Sequence, residues 1–297
     1  MILLFLVAIL LADTGVSAQQ LTTIPKGFLI ICGDRDVIIL NPDLGSDSSA
    51  IVWRWSINES KGQTPDNYQK WLYPLDDCKP IDRNRSLLLT SSGGATCIVN
   101  IKNRKVTFYA RTPMAHSADV LPGRLVAVAN STNPKGNSLE IYNRNKPEMV
   151  LFRDSLYSGH GAVWNSKRNL LYALGFKELR AYKMSRKKDA VHLTLVNKYE
   201  LPDEGGHELS PADEDRFIIT THNNVFVFDI PTETFSVFKM LEGVKNLKSV
   251  NYSSRTQYLV YTRGEESWWT HHVRSMNPER VFTNLPIERI YKVRVAR

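Results

Sequence analysis

The sequence has few cysteines and no hydrophobic run long enough to cross a membrane. Three cysteines in 297 residues, Cys32, Cys78 and Cys97, are too few and odd in number for a disulfide framework, and no CxxC or Cys/His zinc spacing accompanies them. The one prominent apolar run, Ile2 to Ala12, has 11 residues, about half of what a spanning helix requires. We therefore expect no membrane span and no cysteine-based zinc site.

The common catalytic motifs are also missing. There is no G-x-S-x-G elbow, no P-loop, no G-x-G-x-x-G between a strand and a helix, and no H-E-x-x-H. No long segment shows the 3.6-residue period of an amphipathic helix. These absences argue against an α/β hydrolase, a nucleotide-binding fold and a zinc protease of the common types.

The apolar run instead resembles the core of a signal peptide. The small residues Val16-Ser17-Ala18 follow it, which predicts cleavage after Ala18 and a secreted or periplasmic protein. Removing this 18-residue leader, with Asp13, leaves 279 residues and raises the formal charge from +8 to +9. The basic residues are scattered, so we expect no nucleic-acid partner; an acidic oligosaccharide or another anionic small molecule fits the charge better.

Short β-branched and aromatic runs dominate the rest of the chain, separated by turn-forming clusters such as NPKGN and PTET. A turn-plus-strand unit recurs five times, at spacings of 39, 44, 47 and 41 residues, beginning at Asp77, His116, His160, His207 and Lys248. This is the length of a four-stranded propeller blade. The N-terminal runs lack a first strand and Ile290 to Ala296 is a lone strand, so joining them completes a sixth blade. The sequence predicts an all-β, six-bladed β-propeller in one domain, residues 19–297, that we expect to be a monomer.

One polar segment, Asn58 to Tyr73, does not fit the repeat. It is long for an inter-blade loop and carries Trp71 and Tyr73 at its end. We expect this loop to lie over one mouth of the channel.

The repeat anchors are the candidate site, because the first strand of each blade lines the channel. Three of the seven histidines, His116, His160 and His207, fall at this position in consecutive repeats. We take these three as candidate catalytic residues. The surrounding candidates for substrate binding are Asp77, Lys79, Lys248, Arg263, Trp269, His271 and Lys292.

Two of these candidates, Trp269 and His271, belong to a cluster from Glu265 to His272 in the repeat that begins at Lys248. On a strand, alternation places Trp268, Thr270 and His272 on one face and Trp269 and His271 on the other. The tryptophans either wedge between blades or form a platform for a sugar ring.

Two kinds of chemistry suit the anchors. Three neutral imidazoles can hold a divalent metal ion, with His116, His160 and His207 as ligands, although anchors spread around a ring lie far apart. Without a metal, a histidine can move a proton while lysines neutralise an anionic substrate. Proton abstraction next to a uronate carboxylate needs that combination. A two-carboxylate hydrolase is a weaker interpretation, because few acids lie near the anchors.

Several strings also carry a family resemblance: DDCKP, AHSADVLP, DSLYSGHGAVW, LYALGFKELRAY, GGHELSP, EESWWTHHV and the closing IYKVRV. Over residues 26–296 the chain resembles a family of secreted bacterial six-bladed propellers with no assigned function, often associated with glycan-degrading systems. More loosely, the histidine-lined channel is similar in architecture to propeller polysaccharide lyases that act on oligogalacturonides or rhamnose-glucuronate linkages.

The first functional hypothesis is thus a lyase on uronate-containing oligosaccharides. In it, His160 or His116 moves the proton, His207 assists or binds a metal, Lys79 and Lys248 neutralise the carboxylate, and Trp269 stacks on sugar. The alternatives are a non-catalytic glycan- or protein-binding propeller and a metal-dependent hydrolase or lactonase.

Overall fold

The structure, a computed structural model, describes residues 21–187 and 190–297. The predicted signal peptide lies outside the described residues. Six four-stranded antiparallel sheets form the molecule. Their innermost strands contact one another in a ring, from each blade to the next and from the last blade to the first. The predicted six-bladed β-propeller is confirmed.

Blades are named in chain order, with strands given from the channel outward. The closing blade contains β24 (Ile290–Val295), β1 (Leu29–Gly33), β2 (Asp36–Leu40) and β3 (Ile51–Ser56). The second contains β4 (Leu75–Ile81), β5 (Ser86–Ser91), β6 (Ala95–Asn100) and β7 (Val106–Arg111). The third contains β8 (Ala115–Leu121), β9 (Leu125–Asn130), β10 (Ser138–Asn143) and β11 (Val150–Ser155).

The fourth blade contains β12 (Gly161–Asn165), β13 (Leu170–Leu174), β14 (Glu178–Lys187) and β15 (Ala190–Glu200). The fifth contains β16 (Glu208–Pro211), β17 (Arg216–Thr220), β18 (Val225–Asp229) and β19 (Thr234–Val237). The sixth contains β20 (Leu247–Tyr252), β21 (Leu259–Arg263), β22 (Val273–Met276) and β23 (Arg280–Phe282).

Among the residues that the structure describes, helical structure is minor. It comprises one four-residue α-helix, α1 (Tyr68–Trp71), and short 3-10 turns at Ser48–Ala50, Ile57–Ser60 and Lys239–Leu241. Within the described ranges, no helix has the length and apolar character needed to cross a membrane.

The two ends of the chain share one blade, as predicted. Strand β24 pairs antiparallel with β1, from Leu29 opposite Val295 to Cys32 opposite Lys292. The pairing covers the edge that β1 would otherwise expose in the channel.

Apolar side chains between neighbouring blades form the core. In β5, Leu87 and Leu89 pack toward the closing blade, whereas Leu88 packs with Phe108 toward the third blade. Alternate side chains of a strand point to opposite faces of its sheet. A middle strand buried on both faces therefore packs against both neighbouring blades, which explains the nearly continuous apolar runs in the sequence.

The segment from Asn58 to Tyr73 differs from its prediction. Tyr68 is fully buried and its ring meets Tyr109 of β7 edge-on at 4.9 Å between centroids. Gln63 accepts a hydrogen bond from the Val106 amide of the same strand at 2.9 Å. These contacts, above all the burial of the Tyr68 ring, hold the segment against the outer strand of the second blade.

Candidate functional site

One residue at the beginning of each innermost strand faces the channel. In four blades this residue is a β-bulge: Asp76 lies between Leu75 and Asp77, which pair with consecutive residues of β5. The same irregularity occurs at His116, Lys248 and Tyr291. In the remaining two blades, a histidine immediately precedes the strand and its amide donates to the neighbouring strand. We call this set the channel ring: Asp76, His116, His160, His207, Lys248 and Tyr291.

Distances confirm that these six residues, which are far apart in sequence, are brought together. His116 stacks on His160 with centroids 4.4 Å apart and planes at 15°, and His160 lies 4.6 Å from His207. The Nε2 atom of His207 lies 3.0 Å from the Tyr291 hydroxyl and 3.3 Å from the Lys248 ammonium. His116 Nδ1 is 3.7 Å from an Asp76 carboxylate oxygen.

Glycines next to the histidines let the blades approach closely. A Cβ atom on Gly206 would come within 2.3 Å of the Gly175 carbonyl oxygen, and one on Gly161 within 2.5 Å of the Leu209 Cβ. Both contacts are shorter than van der Waals packing permits. The glycines flanking His160 and His207 therefore allow blades four and five to pack closely, which places the His160 and His207 imidazoles side by side.

A buried network of charges lies directly beneath the ring. Arg294 donates from Nε and Nη2 to the two Asp77 oxygens at 2.7 and 2.8 Å and also bonds Glu208 through Nη1 and Nη2. Lys292 donates to Glu208 at 2.7 Å. These four residues are at most 4% exposed. Their charges balance, so the network resembles a neutral plug through the middle of the channel.

Burial sets the protonation of the ring. Desolvation lowers the pKa of His160 to about 4, and it lowers the pKa values of His116 and His207 well below the ordinary range, helped by the neighbouring His160. Desolvation raises the pKa of Asp76 to about 7. It also lowers the pKa of Lys248 to about 8, with Lys292 adding to the effect. Neutral imidazoles are thus flanked by two groups that titrate near neutral pH.

Tyr291 and Asp77 are perturbed in opposite ways. Desolvation and the Asp76 charge hold the pKa of Tyr291 well above its ordinary value, so its hydroxyl keeps its proton. Burial opposes ionisation of Asp77, but the charges of Arg294, Lys292 and Lys79 together with the Arg294 hydrogen bonds outweigh it, so the pKa of this carboxyl is lowered. The ring therefore has a protonated hydroxyl above an ionised Asp77.

Lys248 has an unusual environment for a buried ammonium. Its side chain is 8% exposed and its hydrogen-bond partner is His207. In the part of the chain that the structure describes, no carboxylate forms an ion pair with it. A buried cation that lacks a counter-charge is a ready position for an anion.

The ring does not have the geometry of a metal centre. Within residues 21–187 and 190–297, no group of three or more His, Cys, Asp or Glu side chains is placed to hold a metal ion. His116 and His160 stack face to face, so their nitrogen lone pairs lie in nearly parallel planes and do not converge. His116 and His207 centroids are 6.5 Å apart. These residues do not fit the three-histidine metal site considered from the sequence.

The remaining predicted site residues lie apart from the ring. Asp77 and Lys292, predicted to bind substrate, are tied into the buried network; the ring members of their blades are the preceding residues, Asp76 and Tyr291. Lys79 donates to the Ala162 carbonyl oxygen at 2.7 Å, toward the fourth blade. Desolvation lowers the pKa of Lys79. Arg263 is exposed at the end of β21.

The cluster from Glu265 to His272 is a loop between β21 and β22, so the predicted strand alternation is wrong. The Trp269 and His271 rings meet edge-on at 5.0 Å, and His271 pairs with Glu266 at 3.3 Å. Thr270 exchanges two backbone hydrogen bonds with Ile290, the residue before Tyr291. The loop thus borders the ring without joining it. Two carboxylates of the cluster stabilise this loop. Glu265 pairs with His272 and Arg274, and Glu266 pairs with His271.

Sequence reasoning missed Tyr291 and Asp76. Asp76 stands one residue before the predicted anchor Asp77, and Tyr291 stands one residue before Lys292, which was predicted to bind substrate; a bulge adds one residue to the strand at this point. The signal lies in a comparison with His116 and Lys248, which occupy the bulge in their blades. Aligning the other two innermost strands by their pairing with the second strand of the blade gives Asp76 and Tyr291.

The fold and the ring define a six-bladed β-propeller with a polar, histidine-rich site at one end of its channel. A family model described as Family of unknown function (DUF6528) matches residues 3–296. The chain belongs to this family, in agreement with the predicted resemblance to propellers of unassigned function. No curated protein matches the chain.

Proposed function

We propose that the protein is a carbohydrate-active enzyme, a lyase that acts on uronate-containing oligosaccharides at the channel ring. The observation that carries the proposal is Lys248, a buried ammonium that has no carboxylate partner among the described residues and lies beside the His207 imidazole and the Tyr291 hydroxyl. A substrate carboxylate would supply the missing counter-charge. Lys292 and Arg294 are paired in the network below, so Lys248 is the ring cation that an incoming anion would meet.

The neighbouring groups suit a β-elimination. His207 Nε2 takes the proton from the carbon next to the carboxylate, and the released electron pair forms a carbon–carbon double bond and expels the glycosidic oxygen on the adjacent carbon. The Tyr291 hydroxyl donates a proton to that leaving oxygen, and the imidazolium returns a proton to the tyrosinate across 3.0 Å. Lys248 stabilises the charge that develops on the carboxylate.

The protonation states agree with these roles. A neutral imidazole can accept a proton, and an approaching carboxylate raises its pKa because an opposite charge favours the protonated form. The raised pKa of Tyr291 keeps its hydroxyl protonated, so that it can act as the proton donor. The basic composition favours encounter with an acidic glycan. The secreted or periplasmic location and the monomeric state belong to the same proposal.

The test is turnover of oligogalacturonides and glucuronate-containing oligosaccharides, followed by the ultraviolet absorbance of the unsaturated uronate product. We expect Tyr291→Phe and His207→Gln to reduce turnover by at least about 100-fold, as loss of a general acid or base does. His192→Gln, on the exposed outer strand β15, is the matched histidine control. Full turnover in both ring variants would refute the mechanism.

A non-catalytic glycan- or protein-binding propeller is the second candidate. It is favoured by the low pKa of the histidines, because weak bases are poor at abstracting a carbon-bound proton. It predicts that Lys248→Met weakens binding of the same oligosaccharides and that the wild-type protein forms no unsaturated product.

A further inference from the structure

A cavity lies on the face of the propeller opposite the channel ring. The ring stands at the beginnings of the innermost strands, whereas this cavity lies at the ends of β20 and β24. It has a volume of about 670 Å³ and is walled by the turn after β20, by residues 295–297 and by the segment before β1. We call it the seam pocket, since both terminal segments line it. Its volume is typical of small-molecule sites.

Positive charge dominates the seam pocket. Lys26, Arg255, Arg280 and Arg297 line it, against one carboxylate side chain, Asp43. Arg280 donates to the Pro42 carbonyl oxygen at 2.6 Å, and Arg297 donates to two carbonyl oxygens, at 2.5 and 3.1 Å. Across the described residues, none of the four cations forms an ion pair with a carboxylate. Two guanidinium groups are therefore held in place while their charges stay uncompensated.

A neighbouring cavity on the same face shows the contrast. It measures about 260 Å³, and its Lys167 pairs with Asp215 at 2.8 Å. Asp213 and Glu214 add negative charge to its wall. Arg297 lines both cavities; of the other cations, Lys167 of the smaller cavity is paired, whereas Lys26, Arg255 and Arg280 of the seam pocket form no ion pair among the described residues.

The other lining side chains indicate the ligand class. Phe28, Tyr252 and Tyr258 are half-buried and present ring surface, while Ser253 and Thr256 supply hydroxyl groups. Aromatic surface beside hydroxyl groups suits a sugar, which has apolar ring faces and a polar edge. Guanidinium groups bind planar carboxylate or tetrahedral sulfate groups through paired hydrogen bonds.

We propose that the seam pocket binds an acidic oligosaccharide whose sugar units carry carboxylate or sulfate groups. This site is separate from the channel ring and does not depend on the function proposed there. Because it lies where the two terminal segments meet, ligand bound in it also stabilises the closed ring of blades.

The experiment measures binding by calorimetry in the Lys248→Met background, which removes the anion position of the channel ring. The probes are an oligogalacturonide for carboxylate, a heparin-derived oligosaccharide for sulfate, a neutral maltooligosaccharide and inorganic sulfate. Arg255→Glu and Lys26→Glu are the test variants, since both side chains are exposed and their substitution leaves the core intact. Arg83→Glu is the matched control: it is an exposed arginine in the equivalent turn, between β4 and β5.

We expect one acidic probe to bind, and each test variant to weaken that binding by at least about tenfold while Arg83→Glu changes it less than about twofold. The better acidic probe identifies carboxylate or sulfate as the recognised group. Absence of binding, equal weakening by Arg83→Glu, or equal affinity for the neutral sugar or for inorganic sulfate would overturn the proposal. Turnover at the channel ring should be unaffected by the test variants in the otherwise wild-type protein, so failure of either proposal is distinguishable.

Discussion

Removal of the Arg294 guanidinium is the most informative perturbation of the channel. Arg294 is 4% exposed and makes hydrogen bonds to both Asp77 and Glu208, which are 1% and 0% exposed. In Arg294→Met, Asp77 loses both hydrogen bonds from the guanidinium, whereas Glu208 keeps its ion pair with Lys292. Breaking a buried ion pair from one side costs about 3 to 5 kcal/mol, because a carboxylate is left in the interior without its partner.

For a chain of this size, that loss corresponds to a decrease of about 10 °C in melting temperature. Equilibrium unfolding in urea, followed by tryptophan fluorescence, measures the free energy directly. The deficit should be present at neutral pH and shrink as pH falls below about 4, because carboxyl groups of the unfolded chain take up protons there while the paired Asp77 of the folded wild-type protein stays ionised to lower pH.

Arg216→Met provides the control, since Arg216 pairs with Asp213 at 2.6 Å on the surface and should lose less than about 1 kcal/mol. Adding Asp77→Asn to Arg294→Met should recover part of the loss, because it removes the carboxylate that lost its hydrogen-bonded cation. If Arg294→Met were as stable as the surface control, the network would not be the buried, charge-balanced plug described above.

Three further outcomes follow from the same environment. Asp76→Asn should raise the unfolding free energy at pH 8 by about 1 to 3 kcal/mol. Burial raises the pKa of Asp76 to about 7, so the folded state loses stability as pH rises from about 4 to about 7. Urea titrations that show no gain in unfolding free energy would contradict this. Binding of an acidic oligosaccharide to the ring should weaken as pH rises through about 8, where Lys248, facing His207 and Lys292, loses its charge; calorimetry between about pH 6 and about pH 10 measures it, and a flat profile would exclude Lys248 as the anion partner. A thiol reagent should modify no cysteine of the folded protein and three after unfolding, because all are buried: Cys32, Cys78 and Cys97.

Much of the architecture was predictable because it depends on local pattern. Strand boundaries follow from short apolar runs between turn residues, as in β5 and β9, and the blade number follows from a spacing near 40 residues. Closure by the lone strand at Ile290 was predictable for the same reason, since the N-terminal blade lacks an innermost strand.

The candidate site was predictable only in part. His116, His160, His207 and Lys248 are visible as polar residues at one repeat position, and the structure brings these four together. Asp77 and Lys292 were placed one position away from the ring, because a period of two residues does not anticipate a bulge. The long Asn58 to Tyr73 segment was misplaced because its position depends on where Tyr68 finds apolar surface.

The sequence by itself therefore determined the class of fold, the number of blades and the rim at which polar residues gather, since strand alternation and repeat length are properties of neighbouring residues. Only the tertiary structure decided which polar residues touch. Arg294 meets Asp77, 217 positions earlier, and Tyr291 meets His207 because the ring closes there. Burial then determines which groups carry charge, and burial is a property of the assembled blades.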